Sequence, residues 1–262
     1  MIFGEFAKSQ AEAEYPELWR GLVGAWSPCL SPRGGTVLRD LSGRGNHGTL
    51  TNMDEATDWV TSGGKTALDF DGSNDYVSID HNSIFAWPKG ATFSTWCRAD
   101  AFWLRQLWMK WQNPPLIYIG VLCHTDGKLE FQPHLGKSVG TLTVGKLHHI
   151  VATYGPAGAH LYIDGVKDGI SNTTSITPVA EANVPLWIGA DTANSRYWDG
   201  QILDHTYTQR QATQSDVSLS FSLGPGGWAT PRRRRWNYAT AQTAIPYWVF
   251  ARKNARLIGG GV

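Results

Sequence analysis

The stretch LHHIVATYGPAGAHLYIDG, residues 147–165, decides the fold class of this chain. It contains two runs rich in apolar, β-branched and aromatic residues, HHIVATY at 148–154 and HLYI at 160–163. Such runs are typical of β-strands. The turn GPAG lies between the runs, and Asp164-Gly165 reverses the chain after the second one. Because these residue types favour tight turns, the stretch predicts an antiparallel β-hairpin.

The same pattern continues on the N-terminal side of this hairpin. Residues 67–70 and 76–79 flank the turn DGSND and predict a second hairpin, while ATFSTWCRA at 91–99 alternates between two faces. LIYIGVLC at 116–123 is apolar on both faces and predicts a central strand. Turn residues recur about every 8–12 residues, without the strand–helix–strand alternation of parallel sheets. The sequence therefore predicts an all-β fold, a two-sheet antiparallel jelly-roll sandwich with N- and C-terminal arms.

The composition agrees with a fold of sheets and tight turns. The 262 residues include 29 glycines and 13 prolines, and only 17% are charged. The three cysteines cannot all pair with one another, which argues against a disulfide-stapled secreted module. The first residues lack the basic start and apolar run of a signal peptide. No run approaches the roughly 18 apolar residues of a membrane helix, so we expect no membrane partner.

The net charge of +1 hides an asymmetry along the chain. No acidic residue follows Asp216, whereas seven of the 23 basic residues do. Residues 1–216 therefore contain 16 basic and 22 acidic residues, a formal charge of −6. An acidic body with a basic tail predicts that the tail binds an anionic partner surface. From charge alone, a solvated and disordered tail is the alternative.

Aromatic residues in the tail favour a binding role over disorder, because disordered tails are poor in aromatics. Arginine side chains form charge-assisted hydrogen bonds with carboxylates, while rings bury apolar area. An acidic body argues against nucleic acid as the partner. The predicted partner-binding residues are Arg232, Arg233, Arg234, Arg235, Trp236, Trp248 and Phe250.

A cluster of tryptophans marks a candidate ligand site. Trp103, Trp108 and Trp111 lie within nine residues, with basic residues among them. Exposed indole rings could stack on sugar rings or contact a protein partner. Packing in the core or between subunits is the alternative for the same three residues.

The sequence contains no paired-carboxylate motif of the kind that glycoside hydrolysis requires. A retaining glycosidase needs two carboxyl groups about 5–5.5 Å apart, one as nucleophile and one as acid. On a strand this pair appears as closely spaced acidic residues facing the cleft, whereas Glu130 is alone in its predicted strand. Nucleophile-elbow, phosphate-loop and zinc-protease motifs are also missing. We therefore predict that the protein is not an enzyme.

Six blocks follow one another along the chain: GLVGAW (21–26), DLSGRGNHGTL (40–50), ALDFDGSNDYVSI (67–79), ATFSTW (91–96), LHHIVATYGPAGAHLYIDG (147–165) and LWIGADTANSRYWDGQILD (186–204). In this order they resemble the laminin G-like and concanavalin A-like lectin/glucanase family over residues 21–218. The resemblance implies a binding or structural module. It also implies a structural Ca²⁺ held by Asp40 and Asp204, although Asp40 could instead serve its own turn. Leu203 replaces one of the acidic residues common after the WDG motif, which weakens the calcium prediction.

The tail resembles, more loosely, the basic and aromatic C-termini of phage and other viral proteins, through PRRRRW and the final RLIGGGV. This resemblance implies a virion structural protein, a capsid decoration or fibre-type subunit, made in the host cytoplasm. Its partners would be capsid or other virion proteins and further copies of itself. A carbohydrate-binding adhesin that recognises a surface glycan is the alternative.

The predicted organisation has three parts. Residues 1–20 form an N-terminal arm, residues 21–218 form the β-sandwich, and residues 219–262 form a basic aromatic C-terminal arm. Thr213 and Asp216 stand at the spacing of a capping box and predict a short helix at the end of the sandwich.

Overall fold

The computed structural model describes residues 5–85, 90–112, 117–133, 135–172 and 183–230. Its α-helices are α1 (Glu5–Glu14), α2 (Pro16–Trp19) and α3 (Gln214–Leu223). Its strands are β1 (Leu22–Trp26), β2 (Val37–Leu38), β3 (Gly48–Thr51), β4 (Trp59–Ser62), β5 (Lys65–Asp71), β6 (Tyr76–Ile79), β7 (Ala91–Ala99), β8 (Arg105–Gln112), β9 (Ile117–Cys123), β10 (Lys128–Gln132), β11 (Lys137–Thr141), β12 (Leu147–Gly155), β13 (Gly158–Ile163), β14 (Val166–Asn172), β15 (Leu186–Ile188), β16 (Ala190–Asp191), β17 (Arg196–Tyr197) and β18 (Asp199–Thr208).

Two antiparallel sheets form the body of the protein. The first has the order β14-β13-β12-β7-β18-β5-β4, with β1 also paired to β18. The second has the order β11-β10-β9-β8-β15-β6-β3-β2. The hairpin predicted from 147–165 is β12 and β13, which pair from Ile150 and Ile163 to Gly155 and Gly158. The predicted two-sheet antiparallel sandwich is confirmed.

The second predicted hairpin is wrong. β5 pairs with β18 and β4 in the first sheet, whereas β6 pairs with β3 and β15 in the second. The turn between them crosses from one sheet to the other. The buried Asp75 carboxylate accepts a hydrogen bond of 3.0 Å from the Asp71 backbone amide and closes this corner. Turn residues alone do not distinguish a corner of this kind from a hairpin.

Stacked aromatic rings fill the space between the sheets. The Phe93 ring lies between Trp108, at 3.9 Å, and Tyr207, at 4.6 Å between ring centroids. His205 lies among these rings, and its Nδ1 is 2.7 Å from the Thr95 hydroxyl. Burial lowers the pKa of His205 to about 3, so its imidazole stays neutral in the core.

The outer face of the first sheet carries a second, smaller core. It comprises Ala11, Tyr15, Trp19, Leu22, Ala25, Trp228 and Ala229. The indoles of Trp19 and Trp228 meet edge to face at 5.1 Å, and Trp19 Nε1 donates to the Trp228 carbonyl at 3.1 Å. Helices α1 and α2, from the predicted N-terminal arm, are therefore packed against residues that follow the sandwich.

The compact unit extends past the predicted domain boundary at residue 218. Helix α3 crosses that boundary, and its capping box is confirmed because Thr213 and Asp216 exchange side-chain-to-backbone hydrogen bonds. The compact unit includes the described residues up to Thr230, and residues 231–262 lie outside the described part of the chain. No helix in the described part of the chain is long and apolar enough to span a membrane.

Candidate functional site

Three loops form a cleft at one end of the sandwich. They connect β7 to β8 (100–104), β9 to β10 (124–127) and β16 to β17 (192–195). The cleft contains about 750 Å³ of empty space, part of it open to solvent. Its lining residues are Trp103, Leu104, Arg105, Thr125, Asn194, Ser195 and Arg196. We call this the Trp103 cleft, because Trp103 has the most exposed large side chain in its lining, at 62%.

The first loop presents its apolar residues outward because a neighbouring ring anchors it. Phe102, next to Trp103, packs against the main core. The turn 124–127 lies against this ring, and a Cβ on Gly127 would come within 2.7 Å of the Phe102 side chain. Gly127 also has φ of 74°, a conformation that favours glycine. With Phe102 fixed inward, Trp103 and Leu104 remain exposed at the cleft.

A buried carboxylate holds the third loop. Asp191 is fully buried, and its oxygens accept hydrogen bonds from the Asn194 backbone amide at 3.3 Å and the Asn194 side-chain amide at 2.7 Å. Ser195 adopts φ of 52°, which turns the chain back into β17. The loop is therefore fixed by local hydrogen bonds, and it presents Asn194, Ser195 and Arg196 to the cleft.

Arg105 braces the wall of the cleft. Its guanidinium donates to the carbonyls of Gly72 and Tyr197 and to the Asp199 carboxylate at 3.3 Å. These contacts join the start of β8 to the β5–β6 corner and to the start of β18. Since its charge is paired with Asp199, we assign Arg105 a structural role.

The structure separates the three predicted ligand-binding tryptophans. Trp103 lines the cleft, so its predicted position at a ligand site is compatible with the geometry. Trp108 is 1% exposed and stacks on Phe93, so no ligand can reach it, and the packing alternative holds for this residue. Trp111 is half-buried near the far end of β8. A bulge between Gln106 and Trp108 turns Trp108 towards the core, which the sequence pattern does not reveal.

The remaining lining residues were not predicted from sequence. Thr125, Asn194 and Arg196 come from loops separated by tens of residues from Trp103. The turn-forming run DTANS before Arg196 is the one signal that marks this loop in the sequence. Their convergence depends on the pairing order of β8, β9 and the β16–β17 hairpin.

The Asp40 side chain serves its own turn. Its Oδ1 accepts hydrogen bonds from the Ala25 and Ser42 amides at 3.0 and 2.9 Å. Its Oδ2 accepts from the Ser42 hydroxyl at 2.8 Å and from the Asn46 amide at 3.0 Å. Four hydrogen bonds thus use both oxygens of a carboxylate that is 6% exposed. These four hydrogen bonds are those of a carboxylate that closes a turn. They do not fit a calcium ion, which would need the same two oxygens as ligands.

Asp204 has a different set of partners. Its Oδ2 accepts hydrogen bonds from the Gly226 amide and from Trp228 Nε1, both at 2.9 Å. Burial raises the pKa of Asp204 to about 6, against the opposing effect of these hydrogen bonds. Across the described ranges, no group of three or more His, Cys, Asp or Glu side chains could hold a metal ion. Calcium binding by Asp40 and Asp204 stays a prediction without support from their geometry.

Besides Asp204, Asp75 has a pKa raised into the range that an acid catalyst needs, and it lies next to a second carboxyl group, Asp71. Burial and the neighbouring Asp71 charge raise the pKa of Asp75 to about 6. However, Asp75 is 3% exposed, and Asp71 Oδ1 accepts hydrogen bonds from the amides of Ser73 and Asn74 in the corner between the sheets. A sugar cannot reach Asp75. Its raised pKa is a consequence of its burial in this corner, where it helps to close the turn. Glu130 in β10 contacts His124 Nε2 at 2.8 Å instead of a second carboxylate.

The predicted partner-binding residues of the tail lie outside the described residues. They are Arg232, Arg233, Arg234, Arg235, Trp236, Trp248 and Phe250. Their assignment stays a prediction. The last residues described before them, 226–230, are anchored to the sandwich through Trp228, Asp204 and Trp19.

A protein-family model described as "Concanavalin A-like lectin/glucanases superfamily" matches residues 71–218. The chain belongs to this superfamily. The match runs from the end of β5 into α3, and it includes all three loops of the Trp103 cleft. No curated protein matches this chain in sequence.

Solved structures share the fold at low sequence identity. Trypanosoma rangeli sialidase in complex with sialic acid is 17% identical with a TM-score of 0.57, covering 77% of this chain and 32% of the sialidase. The binding domain of Paraclostridial Mosquitocidal Protein 1 is 17% identical with a TM-score of 0.58, covering 77% of this chain and 52% of that one. Domain 4 of AbnA, an extracellular arabinanase from Geobacillus stearothermophilus, in complex with arabinotriose, is 15% identical with a TM-score of 0.56, covering 76% and 97%. The chain thus spans about a third of the sialidase, and these likenesses establish the fold.

Proposed function

We propose that this protein is a carbohydrate-binding β-sandwich without catalytic activity, and that glycan binds in the Trp103 cleft. The observation that carries the proposal is the exposed indole of Trp103 within a cleft whose other residues are largely polar. An indole ring offers a flat apolar surface for the face of a sugar ring. The Thr125, Asn194 and Ser195 side chains can exchange hydrogen bonds with sugar hydroxyls.

The superfamily and one structural neighbour support this proposal. The arabinanase domain, 97% of which aligns with this chain, holds arabinotriose. A non-catalytic role is supported by the described carboxyl groups, since Asp75 and Asp204, whose pKa values are raised to about 6, are both buried. An exposed aromatic side chain in a cleft of polar residues therefore favours glycan binding.

Replacing Trp103 with alanine is expected to reduce glycan binding at least tenfold, because a central aromatic contact contributes about 2 kcal/mol or more. Binding of wild type and Trp103→Ala would be compared on a glycan array and then by calorimetry with the strongest glycan. Val166→Ala is the matched control, since Val166 is 69% exposed on β14 and is not part of the cleft. Undiminished binding by the folded Trp103→Ala variant would show that the site lies elsewhere.

We propose in addition that the protein is a virion structural component, a capsid decoration or fibre-type subunit that displays the sandwich and docks through its C-terminal arm. The charge difference between residues 1–216 and the tail supports this role, as does the aromatic content of the tail. Docking through the tail would place the Trp103 cleft on a displayed domain. The two proposals are compatible but independent.

Removing the tail is expected to abolish assembly without lowering stability. The truncation should follow Thr230, because Trp228 belongs to the outer core and a cut at Gly224 would also unfold that core. We expect the full chain to form species larger than a monomer in sedimentation experiments and to sediment with virus particles, while residues 1–230 do neither. The control is the thermal unfolding midpoint, which should be the same for both. Equal sedimentation of both chains would contradict the role of the tail.

A further inference from the structure

We infer that the glycan bound in the Trp103 cleft is acidic, and that Arg196 binds its carboxylate. This inference rests on the proposed carbohydrate-binding function and specifies its ligand class. The lining of the cleft contains two arginines and no acidic residue. A guanidinium pairs with a carboxylate more strongly than with the hydroxyl groups of a neutral sugar, so the state of the two arginines bears on which glycan the cleft selects.

The two arginines differ in how their charge is used. Arg105 donates to two carbonyls and to Asp199, so its hydrogen-bonding capacity serves the wall of the cleft. Arg196 has no hydrogen bond from its side chain to any residue in the described part of the chain. Its Nη1 forms an ion pair with Asp191 Oδ2 at 3.9 Å, a separation that is beyond hydrogen-bonding distance. The N–H groups of the Arg196 guanidinium are therefore available to donate to a ligand.

Asp191 cannot turn towards Arg196 to form a hydrogen bond with its guanidinium. Both Asp191 oxygens already accept hydrogen bonds from Asn194, and the residue is fully buried. Asp191 and Arg196 face each other as partners in the β16–β17 pairing, which fixes their separation. The Arg196 side chain is 30% exposed in the cleft, so its donors can meet a carboxylate without a rearrangement of the loop.

Binding of an anionic sugar must rely on direct contact with Arg196, because the electrostatic field of residues 1–216 repels anions. Residues 1–216 carry a formal charge of −6, which repels anions at long range. A guanidinium compensates at short range, since its planar donors match the two oxygens of a carboxylate. A sugar that lays its ring on Trp103 and its carboxylate on Arg196 would use both exposed features of the cleft.

The test begins with an array of neutral, uronic acid and sialylated glycans, followed by a matched pair. The pair is the strongest acidic glycan and its methyl ester, which keeps the ring and removes the charge. We expect wild type to bind the acid at least tenfold more tightly than the ester. Arg196→Gln should lose this preference while retaining affinity for the ester, and Arg196→Lys should lose most of it because an ammonium cannot bind both oxygens. Arg39→Gln, at an exposed site on another loop, is the control.

The outcomes separate this inference from the proposed function. Equal affinity for acid and ester, lost in Trp103→Ala, would overturn the acidic ligand and leave carbohydrate binding intact. A preference for the acid that survives in Arg196→Gln would overturn the role of Arg196. Binding of no glycan on the array would overturn both proposals together.

Discussion

Replacing Trp108 with alanine is expected to lower the free energy of unfolding by about 3–5 kcal/mol, the range for removing a large buried aromatic side chain. Trp108 is 1% exposed, and its ring lies 3.9 Å from Phe93 and 6.3 Å from Phe131 between centroids. The substitution leaves a cavity between the two sheets and removes the stacking that links β8 to β7. Urea denaturation followed by tryptophan fluorescence and circular dichroism measures the loss.

Two further variants make this prediction specific. Trp108→Phe keeps an aromatic ring in the stack, so we expect a smaller loss and a protein that folds even where the alanine variant does not. Trp103→Ala removes the same side chain from an exposed position and should change stability by less than about 0.5 kcal/mol. Comparable losses at positions 103 and 108 would contradict the assignment of one tryptophan to the cleft and the other to the core.

Replacing Trp228 with alanine is expected to cause a loss of similar size, about 3–5 kcal/mol. The Trp228 ring is 5% exposed and packs on Trp19, and its Nε1 donates to the buried Asp204 carboxylate at 2.9 Å. The variant therefore loses apolar packing and also removes one of the donors that satisfy a buried carboxylate. Because Trp228 packs helices α1 and α2 against residues 224–230 in the outer core, limited proteolysis should cut the variant in these segments before the sheets unfold.

The buried carboxylate itself supplies a test through pH. The pKa of Asp204 is raised from its usual 3.8 to about 6, so the folded state holds the proton more tightly than the unfolded state. The stabilising contribution of this group is fully present below pH 3.8 and is lost as the pH rises through about 6. Asp204→Asn keeps an acceptor for Gly226 and Trp228 without the charge. Relative to wild type, we expect it to gain stability between pH 4 and 7, and a constant difference over this range would contradict a buried, titrating Asp204.

Local patterns predicted the parts of the fold that depend on near neighbours in the sequence. The β12–β13 hairpin follows from two apolar runs around GPAG, and the α3 capping box follows from the spacing of Thr213 and Asp216. Both depend on backbone conformations and hydrogen bonds within a few residues. The β5–β6 turn shows where such reasoning fails, since its residues suit a hairpin and a corner equally.

The candidate site could likewise be predicted only in part from the sequence. The sequence placed Trp103 and Trp108 in one aromatic cluster. In the structure Trp103 is exposed, whereas Trp108 is buried because a bulge in β8 turns it towards the core. The partners of Trp103 in the cleft come from two other loops, which the sequence does not connect. Asp40 and Asp204 show a related limit, since a carboxylate suited to calcium serves backbone amides and an indole equally well.

By itself, the amino-acid sequence determined the fold class, the β12–β13 hairpin, the capping box at the start of α3 and the separation of an acidic body from a basic tail. Each of these depends on the types of residues that lie close together in the sequence. The tertiary structure decided which tryptophan is exposed, which arginine of the cleft keeps its N–H groups free of hydrogen bonds within the described residues, and which carboxylates are buried. Those properties depend on long-range strand pairing, which brings together residues far apart in the chain and sets how much of each side chain solvent can reach.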